Sequence, residues 1–258
     1  MAIKLSNAFL TKLQMTSGNL NIFEDFAGTA AIISGSDLGG VIASYTLLAD
    51  LDASDNSSYG GSGTTWFDLV GSNDGTLAAG SGTLTYSTSN GGYFDLSAGS
   101  GTKITLANSS DLQLSTSTTK AYSIWFNADA VGFSSFSRIL LCKLQGLGGS
   151  ATTDGFWMGI SSSNQLVARV ASDNGATQKA LSGIGATIST GTWYMATLIV
   201  KVSPDADTFK LFINSTQVGS TNGGGTSLSS DTQDFLLGNY GTGVQNAQAF
   251  DGMIGEFY

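Results

Sequence analysis

From residue 45 onward the chain is a succession of short apolar or alternating runs, each closed by a turn signal. This rhythm restricts the fold more than any other feature of the sequence. The runs fall at 45–51, 92–96, 103–106, 121–127, 138–143, 156–160, 165–172, 193–202, 209–213 and 234–237. Between them stand Asn90-Gly91-Gly92, Asp173-Asn174-Gly175, Ser203-Pro204-Asp205, Asn222-Gly223-Gly224 and Gly238-Asn239. Such clusters supply the positive φ angles and side-chain-to-backbone bonds that reverse a chain. Residues 121–127 (AYSIWFN) alternate as a half-buried strand does, with Tyr122, Ile124 and Phe126 on one face and Trp125 on the other. Residues 192–201 (TWYMATLIVK) are almost continuously apolar, as in a strand buried on both faces. No long helical period follows residue 45. The pattern predicts an all-β, two-sheet antiparallel sandwich or jelly roll, with no helix beyond about two turns.

Composition supports this reading. Gly (35), Ser (36) and Thr (28) make up 99 of the 258 residues, and the 19 acidic residues divide into 17 Asp and only 2 Glu. Asp suits turns and caps, whereas Glu favours helix interiors. With no His in the chain, Ser-His-Asp and Cys-His catalysis and His-ligated metals are excluded. A single cysteine, Cys142, excludes an intrachain disulfide and reads as a small buried apolar residue. A net charge of −9 opposes binding to a phosphate backbone, so nucleic acid is not an expected partner. No apolar run approaches the roughly 18 residues of a membrane-spanning helix, so membrane insertion is not expected.

The first 43 residues have a different character. Ile3, Leu5, Ala8, Phe9, Leu10 and Leu13 fit one face of a short amphipathic helix that Gly18 would end. Residues 19–24 read as a strand, and 30–33 (AAII) form a second apolar piece. The segment is too small for a core of its own. It must pack on the main domain or on a partner. Its only basic residues are Lys4 and Lys12, and no acid precedes Glu24. The division expected is an anchoring arm over 1–43 and a jelly-roll domain over 44–258. The start of the chain lacks the continuous apolar stretch of a secretory signal.

Residues 51–70 (LDASDNSSYGGSGTTWFDLV) resemble the opening of laminin-G-like, concanavalin-A-like jelly rolls of phage virion proteins. The resemblance continues through Gly75-Thr76-Leu77, through 90–95 (NGGYFD), through 123–126 and through Gly191-Thr192-Trp193-Tyr194. It ends with the hairpin 209–219 and the closing run 250–258 (FDGMIGEFY), and it covers about residues 45–258. In that family the last strand usually runs on past the tyrosine. Here the sequence stops at Tyr258, so either the final strand is the end or a tail has been lost.

The resemblance sets the candidates for chemistry. Glycosidases of this fold use paired carboxylates, usually Glu, facing a groove. Here the only Glu residues are Glu24 and Glu256. Asp50 and Asp52 stand at i, i+2, as do Asp205 and Asp207, but both pairs read better as turn and cap residues. The protein is therefore expected to be no enzyme. No cofactor is expected, with structural calcium the one metal candidate. The resemblance places Asp95, Asp251 and Glu256 in the relevant stretches but assigns no ligands, and capping turns is the simpler role for Asp95 and Asp251. For sugar binding, Trp66, Trp157 and Tyr240 are the aromatic candidates. Trp66 and Trp157 read as core, and Tyr240, in Gly-Asn-Tyr-Gly-Thr-Gly, as the more exposed ring.

The expected function is that of a non-enzymatic structural protein on a bacteriophage virion surface, made in the host cytoplasm. It would be a capsid decoration or head-fibre protein. It would be held to other virion proteins through residues 1–43, as a homo-oligomer, with a trimer on a local three-fold in view. The alternative is a receptor-binding tail-fibre or bacterial adhesin module that binds host glycans.

Overall fold

The computed structural model describes residues 46–131, 138–144, 154–229, 232–240 and 248–258, together with three short strands in the first part of the chain. These are β1 (Gln14–Thr16), β2 (Asn19–Ile22) and β3 (Ala31–Ile33), which pair antiparallel as a small sheet of their own. The helix expected over residues 3–13 lies outside the described residues.

The main domain begins with β4 (Leu51–Asp52), β5 (Thr65–Trp66), β6 (Gly75–Ala78), β7 (Leu84–Ser87), β8 (Tyr93–Leu96) and β9 (Lys103–Leu106). It continues with β10 (Lys120–Ala128), β11 (Arg138–Lys143), β12 (Gly155–Ile160), β13 (Gln165–Ser172) and β14 (Thr177–Thr187). It closes with β15 (Trp193–Val200), β16 (Phe209–Ile213), β17 (Thr216–Thr221), β18 (Phe235–Leu237) and β19 (Gly252–Phe257). Among the described residues the helical pieces are short 3₁₀ turns, Ser89–Gly91 and Ser110–Leu112 among them. No helix there is long and apolar enough to cross a membrane.

Two eight-stranded antiparallel sheets face each other, as the sequence predicted. The first runs β17-β16-β15-β10-β19-β8-β7, with β4 also paired to β19. The second runs β14-β13-β12-β11-β18-β9-β6-β5. Period-two alternation explains the packing. Tyr122, Ile124 and Phe126 of β10 and Ala196, Leu198 and Val200 of β15 point into the core. From the second sheet Leu140, Phe156, Met158 and Phe235 meet them. Most of the expected strands appear within a residue or two. The exception is 45–51, of whose described residues only Leu51 belongs to a strand, because residues 46–50 follow the 67–73 loop instead. There Leu69 N–H donates to the Asp50 carbonyl at 2.8 Å, and Asn73 Nδ2 donates to the Leu48 carbonyl at 2.8 Å.

Glycine is obligatory where β19 starts. Gly252 has φ +144°, and a Cβ there would sit 2.2 Å from the Asn127 carbonyl oxygen of β10. The chains approach this closely because Gly252 faces Ala128 across the ladder.

One loop clamp carries a pH prediction. Asp173, in the β13–β14 turn, accepts hydrogen bonds from Ser227 Oγ at 2.7 Å, from Ser227 N at 2.8 Å, from Thr226 N at 3.1 Å and from Thr177 Oγ1 at 3.0 Å. The Ser227 hydroxyl and the two backbone donors hold its pKa down at about 2. Its folded pKa lies below the unfolded value of 3.8, so its contribution is full above that value. It is lost as pH falls from about 4 towards 2. Asp173→Ala is expected to remove this segment of the acid-unfolding curve and to loosen residues 226–227. Hydrogen exchange of the Thr226 and Ser227 amides between pH 2 and 5 checks it.

Candidate functional site

The carboxylates come together differently from the sequence expectation. Sheet order places β8, β19 and β10 side by side, with Asp95 opposite Met253 and Met253 opposite Asn127. Asp251 precedes β19 and Asp129 follows β10, and the two are tied by Asp129 N–H donating to the Asp251 carbonyl at 2.9 Å. Asp95, Asp129 and Asp251 thus share one rim of the first sheet. Asp251 Oδ1 also accepts from Ala98 N–H at 3.2 Å. Partial burial, then the negative charge of Asp129 and Asp251, pushes Asp95 above the usual carboxylate range. Burial and Asp251 do the same to Asp129. Arg138, from β11, faces Asp251 and donates to the Ala249 carbonyl.

Glu256 does not join this rim. It lies further along β19, nearly buried, and its Oε2 accepts from the Tyr258 hydroxyl at 2.5 Å. Burial and the Glu256 charge raise the Tyr258 phenol well above its ordinary value. The set of Asp95, Asp251 and Glu256 considered for calcium is therefore not assembled. Among the described residues no group of three or more Asp, Glu, His or Cys is placed to hold a metal ion.

The rim carries a second pH prediction, opposite in sign to that of Asp173. A carboxyl whose folded pKa is raised binds protons more tightly folded than unfolded, so stability is lost as pH rises above 3.8 through the raised value. Asp95→Asn is expected to raise the melting temperature at pH 7 and to flatten its fall between pH 4 and neutrality. Thermal melts across that window check it. A variant that melts below the parent at pH 7 contradicts it.

The other candidates resolve into structural roles. Asp52 Oδ1 accepts from Ser54 N–H at 2.7 Å, an Asx turn. Asp205 accepts from Ser203 Oγ at 2.7 Å and pairs with Lys201 at 3.8 Å, while Asp207 sits at φ +58°. Both are turn residues, as expected. Glu24 lies outside the described residues. Trp66 is fully buried, edge-on to Phe94 at 4.9 Å, and Trp157 packs partly buried on the outside of the second sheet. Cys142 is buried, as expected.

Tyr240 corrects the sequence reading. It is not an exposed ring: 7% of it is accessible, and it packs with Ile139, Cys142 and Leu144 in a satellite cluster. Burial, with the nearby Cys142, raises its pKa to about 12. Its glycine-rich setting reads as a flexible loop, but Asn239 fixes the backbone there. The Asn239 Nδ2 donates to the Thr102 carbonyl at 2.9 Å, and its Oδ1 accepts from Tyr240 N–H at 2.7 Å.

A surface feature escaped the sequence reading. Among the described residues the exposed large apolar side chains are Leu47, Leu48, Phe67, Leu69 and Val70, with Phe67 51% and Val70 50% accessible. The bonds from Leu69 to Asp50 and from Asn73 to Leu48 bring the two segments together. The five residues thus stand on two adjoining segments. Individually these residues look like ordinary strand or turn positions, so only the loop path reveals them.

Comparisons with known proteins agree with the architecture. The Laminin_G_3 family, described as the concanavalin A-like lectin/glucanases superfamily, matches residues 98–258. No curated protein sequence matches the chain. Domain 4 of AbnA, an extracellular arabinanase from Geobacillus stearothermophilus, solved in complex with arabinotriose, is similar in structure. The TM-score is 0.55 at 17% identity, covering 82% of this chain and 90% of that one. The binding domain of Paraclostridial Mosquitocidal Protein 1 gives a TM-score of 0.55 at 14% identity, covering 82% of this chain and 48% of that one. A Trypanosoma rangeli sialidase in complex with sialic acid gives 0.52 at 13% identity, over 81% of this chain and 30% of that one. At these identities the likeness is one of fold. The family match spans well over half of the sequence and ends on β19, the strand that joins both halves of the first sheet. The chain belongs to the concanavalin A-like lectin/glucanase superfamily.

Proposed function

We propose that this protein is a non-enzymatic structural component of a bacteriophage virion, a capsid decoration or head-fibre protein that displays a lectin-type sandwich. The carrying observation is the exposed apolar patch of Leu47, Leu48, Phe67, Leu69 and Val70. Large apolar side chains exposed on adjoining segments mark a surface that another protein covers. This one lies where the chain passes from its N-terminal segment into the sandwich, so a partner there would hold the domain by its base. Among the described residues outside the Asp95, Asp129 and Asp251 rim, the candidate carboxylates hold structure, which supports a non-catalytic role. Asp52, Asp205 and Asp207 serve turns, and Glu256 is held by Tyr258.

The test uses the full chain in the particle. The protein is expected in purified particles in many copies on the capsid. A Phe67→Ser/Val70→Ser variant is expected to fold normally but to be lost from particles. Absence of the wild-type protein from particles, or undiminished incorporation of the variant, contradicts the proposal.

Glycan binding is the second reading. Domain 4 of the arabinanase AbnA, a fold relative, was solved with arabinotriose. Under this reading the protein sits in a few copies at a tail tip or cell surface and gives a glycan-array signal.

A further inference from the structure

The first sheet has an inner face in the core and an outer face opposite it, and part of the outer face is also closed to solvent. Alternation and register put Trp125 of β10, Met195 and Ile199 of β15 and Phe212 of β16 on that outer side. Met195 and Phe212 are 1% accessible, Ile199 3% and Trp125 6%. None of the four belongs to the sandwich core or to the satellite cluster of the second sheet. The burial is local, since Gln217 and Ser220 on the neighbouring edge strand β17 are exposed. Two polar atoms of this face, Trp125 Nε1 and Asn127 Oδ1, are buried without a hydrogen-bond partner. Large apolar side chains interleaved with buried Ser123, Thr197 and Lys210, and carrying an orphaned donor and acceptor, form a patch that another layer of polypeptide covers.

The chain holds one element suited to that place. The small sheet of β1, β2 and β3 contains ten paired residues, too few for a core of its own. Its register sets Met15 opposite Leu20, Leu20 opposite Ile33, and Ile22 opposite Ala31. These five positions share one parity of the pleat and all are apolar. The opposite parity carries Gln14, Thr16, Asn19 and Asn21, with Ile32 the single apolar residue. The connection is favourable as well. After β3 the chain reaches Leu51–Asp52, which pair with Glu256–Phe257 of β19, the strand beside β10. A linker of this length reaches up to roughly 60 Å extended. A seven-strand sheet is only about 34 Å wide.

We infer that the three-stranded sheet of β1, β2 and β3 packs in the same chain over the Trp125, Met195, Ile199 and Phe212 face of the first sheet, by the parity that carries Met15, Leu20, Ile22, Ala31 and Ile33. The protein is then three-layered, and the outer face of its first sheet is closed to saccharides. Attachment to a partner falls to the Leu47–Val70 patch and to residues outside the small sheet.

Hydroxyl-radical footprinting of the full chain tests this, at a concentration where sedimentation shows a monomer. Met195 and Phe212 are expected to be protected in the wild type. A Leu20→Asp/Ile33→Asp variant is expected to label Met195 about tenfold faster. Phe126 and Leu211, on the core side of the same strands, should stay protected. If the double variant loses the sandwich too, Leu20→Ala decides. A selective rise at Met195 and Phe212 supports the inference, and unchanged labelling overturns it. It is also overturned if these residues label freely in the wild-type monomer, or are protected only in an oligomer.

Discussion

Phe235→Ala is expected to lower the unfolding free energy by about 3–5 kcal/mol, the range for removing a fully buried aromatic ring. Phe235 stands on β18, in the middle of the second sheet, with none of its surface accessible. Its ring lies 5.0 Å from Phe257, 5.7 Å from Tyr122 and 5.8 Å from Phe156. Tyr122 and Phe257 belong to the first sheet and Phe156 to the second, so this one ring joins both layers. Neighbouring strands hold the cavity walls apart. β18 is pinned between β9 and β11, and collapse into the gap would break those ladders. Denaturant unfolding with an unchanged slope and a lowered midpoint checks the prediction. A loss under about 1 kcal/mol would mean that the sheets do not meet at this ring.

Such a contact was partly legible before the structure. Tyr122, Ile124 and Phe126 alternate so regularly that both the existence of β10 and its inward face follow from sequence. Elements without that rhythm were missed. β14 (TQKALSGIGAT) mixes polar, small and apolar residues with no period, and it is held as a strand by its long pairing with β13. β5 is two residues long and exists because β6 is next to it. The candidate site was less legible still. Asp95 and Asp251 could be singled out, but Asp129 has no local signal. It reaches them because β19 lies between β8 and β10, a fact of topology. Trp125 was readable as facing away from the core, whereas its burial depends on what covers that face. Tyr240 failed for the converse reason: glycine neighbours promise exposure, and the bonds of Asn239 override them.

At the end of the sandwich a lysine is fully enclosed, and its loss is expected to be the other costly change. Lys143 has none of its surface accessible, and its Nζ donates to Asn108 Oδ1 at 2.7 Å and to the Gln233 carbonyl. Both acceptors belong to connections that close this end. Asn108 N–H is held by Asp234 Oδ1 at 3.0 Å, which ties the segment after β9 to the one before β18. Lys120 performs a parallel task nearby, donating to the Ser110 and Asp111 carbonyls at 2.7 and 2.9 Å, and burial lowers its pKa. Hydrogen bonds from an ammonium contribute about 1.5–3 kcal/mol each, and deletion also empties the space of the buried stem. Lys143→Ala is therefore expected to cost about 3–5 kcal/mol, the lost hydrogen bonds and the cavity together. Lys143→Met separates the terms. It keeps the stem volume, so it should recover the cavity part, about 1–2 kcal/mol, and leave the polar part lost. If the two variants are equally destabilised, the hydrogen bonds dominate. If methionine restores wild-type stability, the ammonium contributes nothing to closing the domain.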